Sequence, residues 1–358
     1  MYENQLLDEK GLDAILVTKK ENVRFLTGFI GTFGQVLVTH NKDYLITDPR
    51  YALEAERLVY PGTKIVIIDD YYDDLTKLLR KHKVKTLGIE DTDLTYAGFR
   101  KLKKKLKGIK LKPLEQSLDN GRLVKTPEEI RLIRKSQIIN EKALAEGLKS
   151  LRREGIRERD LAWKLIQIGH DLGAEDISFD PIVAFGKNSA SPHYTPGTRK
   201  YKKEDVVLID MGMKFKGYCS DMSRTFLPRK ASGELMYHYD IVLKAQQNCI
   251  DKLRPGRKGS YGDKLSRSVI EKHELGEYFT HANGHGVGLE IHEAPSLSSK
   301  TKHKDRSMTM QENMVVTVEP GIYLPGKYGI RIEDMIVIGG DENENLTKFP
   351  KTIQDVLI

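Results

Sequence analysis

The sequence predicts two domains in succession, an α/β domain over residues 1–120 and an α+β domain over residues 121–358. Three observations lead there. A chain of 358 residues is longer than one ordinary core organises. The first third alternates short apolar runs with helical periodicity, the pattern of a mixed or parallel sheet flanked by helices. Beyond it, helices come in pairs and strands in clusters, and the turn-rich "PLEQSLDNGRLVKT" (113–126) separates the two regimes.

In the first domain "DAILV" (13–17), "QVLVT" (35–39), "DYLIT" (43–47), "KIVIID" (64–69) and "TLGIED" (86–91) read as strands. "DPRYALEAERLV" and "DDLTKLLRKH" carry the helical period between them. The basic run "RKLKKKLKGIKLK" (100–112) spaces Leu102, Leu106 and Ile109 as a helix would, so its lysines read as the solvated face of an amphipathic helix. No aromatic residue is interleaved for base stacking and no nucleic-acid motif accompanies the run. A net charge of +8 therefore does not by itself point to nucleic acid. The domain offers neither a phosphate loop nor a metal-ligand cluster.

The second domain opens at "TPEE", with Thr126 as N-cap, Pro127 at the first helical position and Glu129 as the capping-box partner. Helices are expected over about 127–152, 158–172, 233–253 and 261–273, and strands over 180–226 and 280–340. The recurrence of helices followed by strands suggests two similar halves.

Hydrophobic content of 39% and charged content of 31% describe a soluble globular protein. No run approaches the roughly 18 apolar residues of a membrane span. The opening "MYENQLLDEKGLDAILV" lacks a basic n-region and an uninterrupted apolar h-region, so no signal peptide is expected. Two cysteines, Cys219 and Cys249, form no disulfide framework and suit a reducing cytoplasm.

The chemistry begins in "VVLIDMGMKFKGYCSDM" (206–222), where a buried-strand pattern runs into Asp210 and Asp221 follows eleven positions later. Carboxylates are seldom buried unless paired or holding a metal. A hairpin centred between Phe215 and Lys216 would place the two aspartates directly opposite each other, repelling unless a cation lies between them. An offset register would instead leave them exposed in a loop. "VVTVEPGIYLPGKYGIRIED" (315–334) weakens that alternative, because Glu319 and Glu333 are symmetric about Gly326 in a second hairpin. Between the hairpins, "HANGHGVGLEIHEAP" (281–295) carries three of the ten histidines, and its glycines allow close backbone approach around His285. It is neither a dinucleotide fingerprint nor an H-E-x-x-H motif. Four carboxylates and one imidazole suit two divalent ions, with manganese first and cobalt, zinc or iron next. Two such ions roughly 3.5–4 Å apart supply the chemistry of hydrolases.

These residues, in this order, resemble the pita-bread dinuclear metallopeptidases, which include methionine aminopeptidase, prolidase and aminopeptidase P. The first domain resembles the creatinase-type N-terminal domain of the proline-specific branch. The resemblance implies a creatinase-like α/β domain followed by an α+β pita-bread catalytic domain. It implies that Asp210 holds one ion, that His285 and Glu319 hold the other, and that Asp221 and Glu333 bridge them. Glu319 would also carry the proton from the attacking water to the leaving nitrogen, and His292 would stabilise the developing oxyanion. His193, in "NSASPHYTP", would contact the substrate near its proline, and His281 would line the same pocket. Arg331 would orient a carboxylate of the substrate or pair with a metal-binding Asp. Tyr323 would stand behind the site or simply pack. No ligand position departs from the family pattern, whereas creatinase and the inactive pita-bread modules of chromatin proteins have lost the metal site. The implied function is a cytosolic exopeptidase that cleaves the bond between an N-terminal residue and proline, with dipeptides preferred over longer peptides. A homodimer without membrane or nucleic-acid partners is implied too. The alternative is a non-catalytic peptide- or protein-binding module on the same scaffold.

Overall fold

The computed structural model describes residues 2–115, 117–299 and 308–358. Two compact units emerge, Met1–Arg122 and Leu123–Ile358. The first holds a six-stranded sheet in the spatial order Lys64–Ile67, Asp43–Thr47, Gln35–Thr39, Ala14–Val17, Thr86–Ile89, Lys110–Pro113. Both antiparallel and parallel pairings occur. Alternation along the strands feeds two cores. Leu16, Leu37 and Ile46 meet Leu75 and Leu79 of helix Tyr71–Lys81, while Ile15, Val36 and Leu45 meet Leu6, Leu7 and Val23 on the other side.

The run at 100–112 corrects the expectation of one helix. Helix Tyr96–Lys105 stops short of Gly108, whose φ of +87° leaves the right-handed helical region, and Lys110–Pro113 continues as an edge strand. Leu102, Leu106 and Ile109 do reach one core, but from different elements. Helices Tyr2–Lys10 and Lys20–Thr27 were not legible in the sequence pattern.

In the second unit Thr126 and Glu129 form the expected capping box at the start of helix Pro127–Leu148, which tightens into a 3-10 turn at Lys149–Arg152. Helix Glu158–Asp171 packs beside it, and Gly233–Lys252 packs beside Gly259–Lys272. Each pair is followed by antiparallel strands. Val207–Met211 lies between Ile182–Phe185 and Met222–Phe226, and Val315–Val318 lies between Gly284–Gly286 and Asp334–Val337. A two-stranded ribbon, Gly321–Leu324 with Tyr328–Arg331, extends the second set. Of the region expected to be strand-rich, residues 300–307 lie outside the described ones.

Candidate metal centre

The second hairpin has the register its symmetry predicts. Val318 pairs with Asp334 and Gly321 with Arg331, both symmetric about Gly326, so Glu319 and Glu333 face each other where the sheet gives way to the ribbon. At that junction their backbones turn to other partners. The Glu319 N–H donates to the Asn283 carbonyl at 2.8 Å, and the Glu333 N–H donates to the Ser223 carbonyl at 3.1 Å. One bond brings Glu319 near His285; the other brings Glu333 near the first hairpin.

The first hairpin is displaced from expectation. Lys216 and Gly217 both have positive φ, +47° and +77°, as a two-residue primed turn requires. The centre is therefore the Lys216–Gly217 bond, and Asp210 lies opposite Ser223 rather than Asp221. The displacement amounts to two residues on one strand, which preserves the facing of every side chain. Asp210 and Asp221 are thus diagonal neighbours on one face instead of a direct pair. Both line the same cavity, of about 440 Å³, with His193, His281, His285, His292, Glu319, Arg331 and Glu333.

Asp210, Asp221 and Glu333 are buried, and no more than 8% of any of them is exposed. Donor atoms of Asp221, His285 and Glu333 all lie within 4.8 Å of one another. Nε2 of His285 stands 3.5 Å from Asp221 Oδ2 and 3.6 Å from Glu319 Oε1. Its Nδ1 donates to the Gly286 carbonyl at 3.0 Å, which leaves the Nε2 lone pair aimed at the carboxylates. Burial, reinforced by His292, lowers His285 to about 4, so the ring is neutral and fit to ligate. Glycine is required beside it: a Cβ on Gly284 would lie 2.0 Å from the Thr317 carbonyl oxygen.

Burial pushes Asp221 and Glu333 well above the usual carboxylate range, and neighbouring carboxylates add to it, Glu333 first for Asp221 and Glu319 first for Glu333. Burial likewise raises Glu319 to about 8. Oδ1 of Asp210 has no hydrogen-bond partner among the described residues, although it is buried. A cluster of repelling carboxylates, an orphaned oxygen and a neutral imidazole form a donor set that fits divalent cations.

Arg331 faces this cluster without being free. It donates from Nε to Ser223 Oγ at 2.7 Å, from Nη1 to Tyr323 OH at 2.5 Å and to the Pro192 carbonyl at 3.2 Å, and from Nη2 to Asp210 Oδ2 at 2.5 Å. Of the two roles left open for it, the pairing with Asp210 is the one its geometry displays. Tyr323 lies off the cavity wall, passing a hydrogen bond from Arg331 to Nε2 of His281 at 2.9 Å. Burial, then Arg331, lowers His281 to about 3. His292 stacks edge-on against His285 with ring centroids 4.3 Å apart. It is open to the cavity, but the surrounding protein desolvates it and lowers its pKa.

Two residues of this neighbourhood were missed in the sequence. Ser223 donates to Glu333 Oε2 at 2.8 Å while accepting from Arg331, and the true register, which sets it opposite Asp210, was the signal for it. Arg224, fully buried, donates to the Glu333 carbonyl at 2.7 Å and to Asp334 Oδ1 at 2.8 Å.

Residues 131–339 match the metallopeptidase family M24, and residues 4–124 match the creatinase/prolidase N-terminal domain. The chain belongs to metallopeptidase family M24. The protein is 33% identical to a Xaa-Pro dipeptidase of Pyrococcus horikoshii, over 98% of this chain and 96% of the relative. Its structure resembles a Xaa-Pro dipeptidase from Bacillus anthracis with a TM-score of 0.93, at 36% identity and covering 98% and 97% of the two chains. It also resembles an X-Pro aminopeptidase from Thermotoga maritima with a TM-score of 0.90, at 32% identity and covering 97% and 99%. Family membership makes this M24 metallopeptidase a hydrolase that works with divalent metal ions.

Proposed function

We infer that this metallopeptidase is a Xaa-Pro dipeptidase with two divalent ions, manganese first. The carrying observation is the convergence of Asp210, Asp221, His285, Glu319 and Glu333 on one cavity, in a chain similar along its whole length to enzymes named for that activity. Asp221 and Glu333 would be shared between the ions, His285 and Glu319 would complete one site, and the orphaned oxygen of Asp210 would complete the other. Bound ions supply Lewis acidity and lower the pKa of water. The chain's own residues do the rest. Glu319 would take a proton from the attacking water and return it to the proline nitrogen as the bond breaks. Neutral His292 donates a hydrogen bond to the substrate carbonyl oxygen. Arg331 fixes Asp210 and, through Tyr323, His281. His193, exposed at the cavity wall, contacts the proline ring. An X–Pro bond has no N–H for ordinary peptidases to hold, so a shaped wall must recognise it.

The Thermotoga maritima neighbour supports a second reading, an X-Pro aminopeptidase acting on longer peptides. A non-catalytic module is disfavoured by family membership and by the complete donor set. A homodimer in the cytoplasm completes the proposal; Cys219 and Cys249 are buried and form no disulfide, which suits a reducing compartment. The deciding experiment compares a Xaa-Pro dipeptide with a Xaa-Pro-Xaa tripeptide after loading with Mn²⁺. Faster turnover of the dipeptide is expected. Preference for the tripeptide would establish the second reading, and turnover of neither would overturn both.

A further inference from the structure

Glu158 starts helix Glu158–Asp171 and is fully buried, although "RERD" reads as surface charge. Both of its carboxylate oxygens are engaged. Oε1 accepts from the Phe185 N–H at 2.8 Å and from Asn188 Nδ2 at 2.9 Å. Oε2 accepts from the Tyr194 hydroxyl at 2.8 Å and from the Gly197 N–H at 3.2 Å. All four donors belong to the segment 185–197, which carries His193 into the catalytic cavity. Gly197 permits the approach: a Cβ there would stand 3.0 Å from the Tyr194 hydroxyl oxygen and 3.5 Å from Oε2 of Glu158.

His193 stands between two anchored neighbours. The Pro192 carbonyl accepts from Arg331 at 3.2 Å, and the Tyr194 hydroxyl is held by Glu158. No helix or strand covers residues 191–197, so side-chain anchors decide where this stretch lies. Tyr194 remains a donor, because burial and then the bond to Glu158 push its phenol up to about 12.

We propose that Glu158 is a positioning residue for substrate binding, which sets where His193 stands in the cavity by holding Tyr194 and Gly197. The kinetic part of its test rests on the Xaa-Pro peptidase reading above; the structural part does not. Glu158→Gln keeps the shape but replaces one oxygen by an amide that cannot accept. Tyr194 can rotate its hydroxyl to suit and Asn188 can flip, but the N–H groups of Phe185 and Gly197 cannot change roles. One of those two N–H groups therefore meets another donor, and the segment shifts.

In the manganese-loaded enzyme, E158Q is expected to raise KM for a Xaa-Pro dipeptide roughly tenfold, as loss of a charge-assisted hydrogen bond does, with kcat within about twofold of wild type. Y194F, which removes the donor to Glu158 and the acceptor for Asn188 Nδ2 (2.8 Å), should raise KM by roughly threefold. Both act through one contact, so Y194F in the E158Q background should add less than about twofold. A crystal structure of E158Q should show the His193 ring displaced. A purely structural role would lower the melting temperature and leave KM unmoved. Wild-type KM in a folded E158Q or in Y194F, effects that multiply in the double variant, or an unmoved His193 would each overturn the proposal. Should E158Q fail to fold, Y194F decides alone, supporting the proposal if KM rises and overturning it if KM is unchanged. Absence of Xaa-Pro turnover in the wild type would overturn the functional reading instead, and the position of His193 in E158Q would then decide this one.

Discussion

Glu333 and Asp334 are consecutive, almost wholly buried carboxylates, yet one is pushed well above the ordinary range and the other is held below it. Burial raises both; what differs is what each side chain faces. Glu333 looks into a cavity shared with Asp210, Asp221 and Glu319, whose charges oppose its own. Asp334 looks the other way, onto Arg224, Lys351 and the amide of Asn345, which outweigh its burial. The same alternation divides Ser223, bonded to Glu333, from Arg224, bonded to Asp334. A charge cluster neutralised from within the chain serves as structure. A cluster left with excess negative charge fits a cationic ligand.

The sharpest way to break this contrast is to substitute one residue in each cluster. Glu319→Gln should lower turnover of a Xaa-Pro dipeptide by roughly 10²- to 10⁴-fold, the usual contribution of a positioned proton carrier. Thermal unfolding of the metal-free variant should begin no earlier than in wild type, since burial disfavours the charged carboxylate that the amide replaces. A stability loss matching the activity loss would put Glu319 in the structural class. Asp334→Asn should do the reverse and destabilise by about 3–5 kcal/mol, because Arg224 then lacks its buried counter-charge. Denaturant melts would measure it, and a wild-type midpoint would refute the division.

A subtler effect appears in the pH dependence of stability without metal. Glu319 is raised from 4.5 to about 8 in the fold, so its contribution is complete below pH 4.5 and disappears as pH climbs through 8. Asp334 is lowered, so its contribution is complete above its unfolded pKa and is lost only as pH falls through its folded one. Metal-free protein should therefore melt at progressively lower temperature between pH 5 and pH 8, while manganese-loaded protein should not. Identical slopes with and without the ion would show that the cavity carboxylates do not govern this dependence.

The sequence exposed this second unit unevenly. The hairpin 315–334 was legible because its turn glycine and flanking alternation locate one centre, and that register is observed. The hairpin 206–222 was misjudged because Lys216 adopts a positive φ that composition alone does not announce. The facing survived, since displacement by an even number of residues leaves each side chain on its side. Convergence of the candidate residues in one cavity depended on facing alone, so the error did no harm there. Partners far apart in sequence were out of reach: Arg331 could not be assigned to Asp210 in preference to a ligand. Glu158 was hidden for the opposite reason, because a charged residue at a helix start looks solvated until the loop that covers it is known.

The ribbon Gly321–Leu324 with Tyr328–Arg331 tells where this gene can tolerate length change. At its outer end Pro325, Gly326 and Lys327 are exposed, and extra residues there would lengthen a turn without touching the cavity. At its inner end a single added or deleted codon between positions 331 and 334 would rotate every following side chain to the opposite face. Deleting Ile332 would carry Asp334 into the cavity-facing place of Glu333 and leave Met335 where Asp334 meets Arg224, so one frame-preserving deletion would strip Arg224 of its counter-charge and leave the cavity a shorter carboxylate.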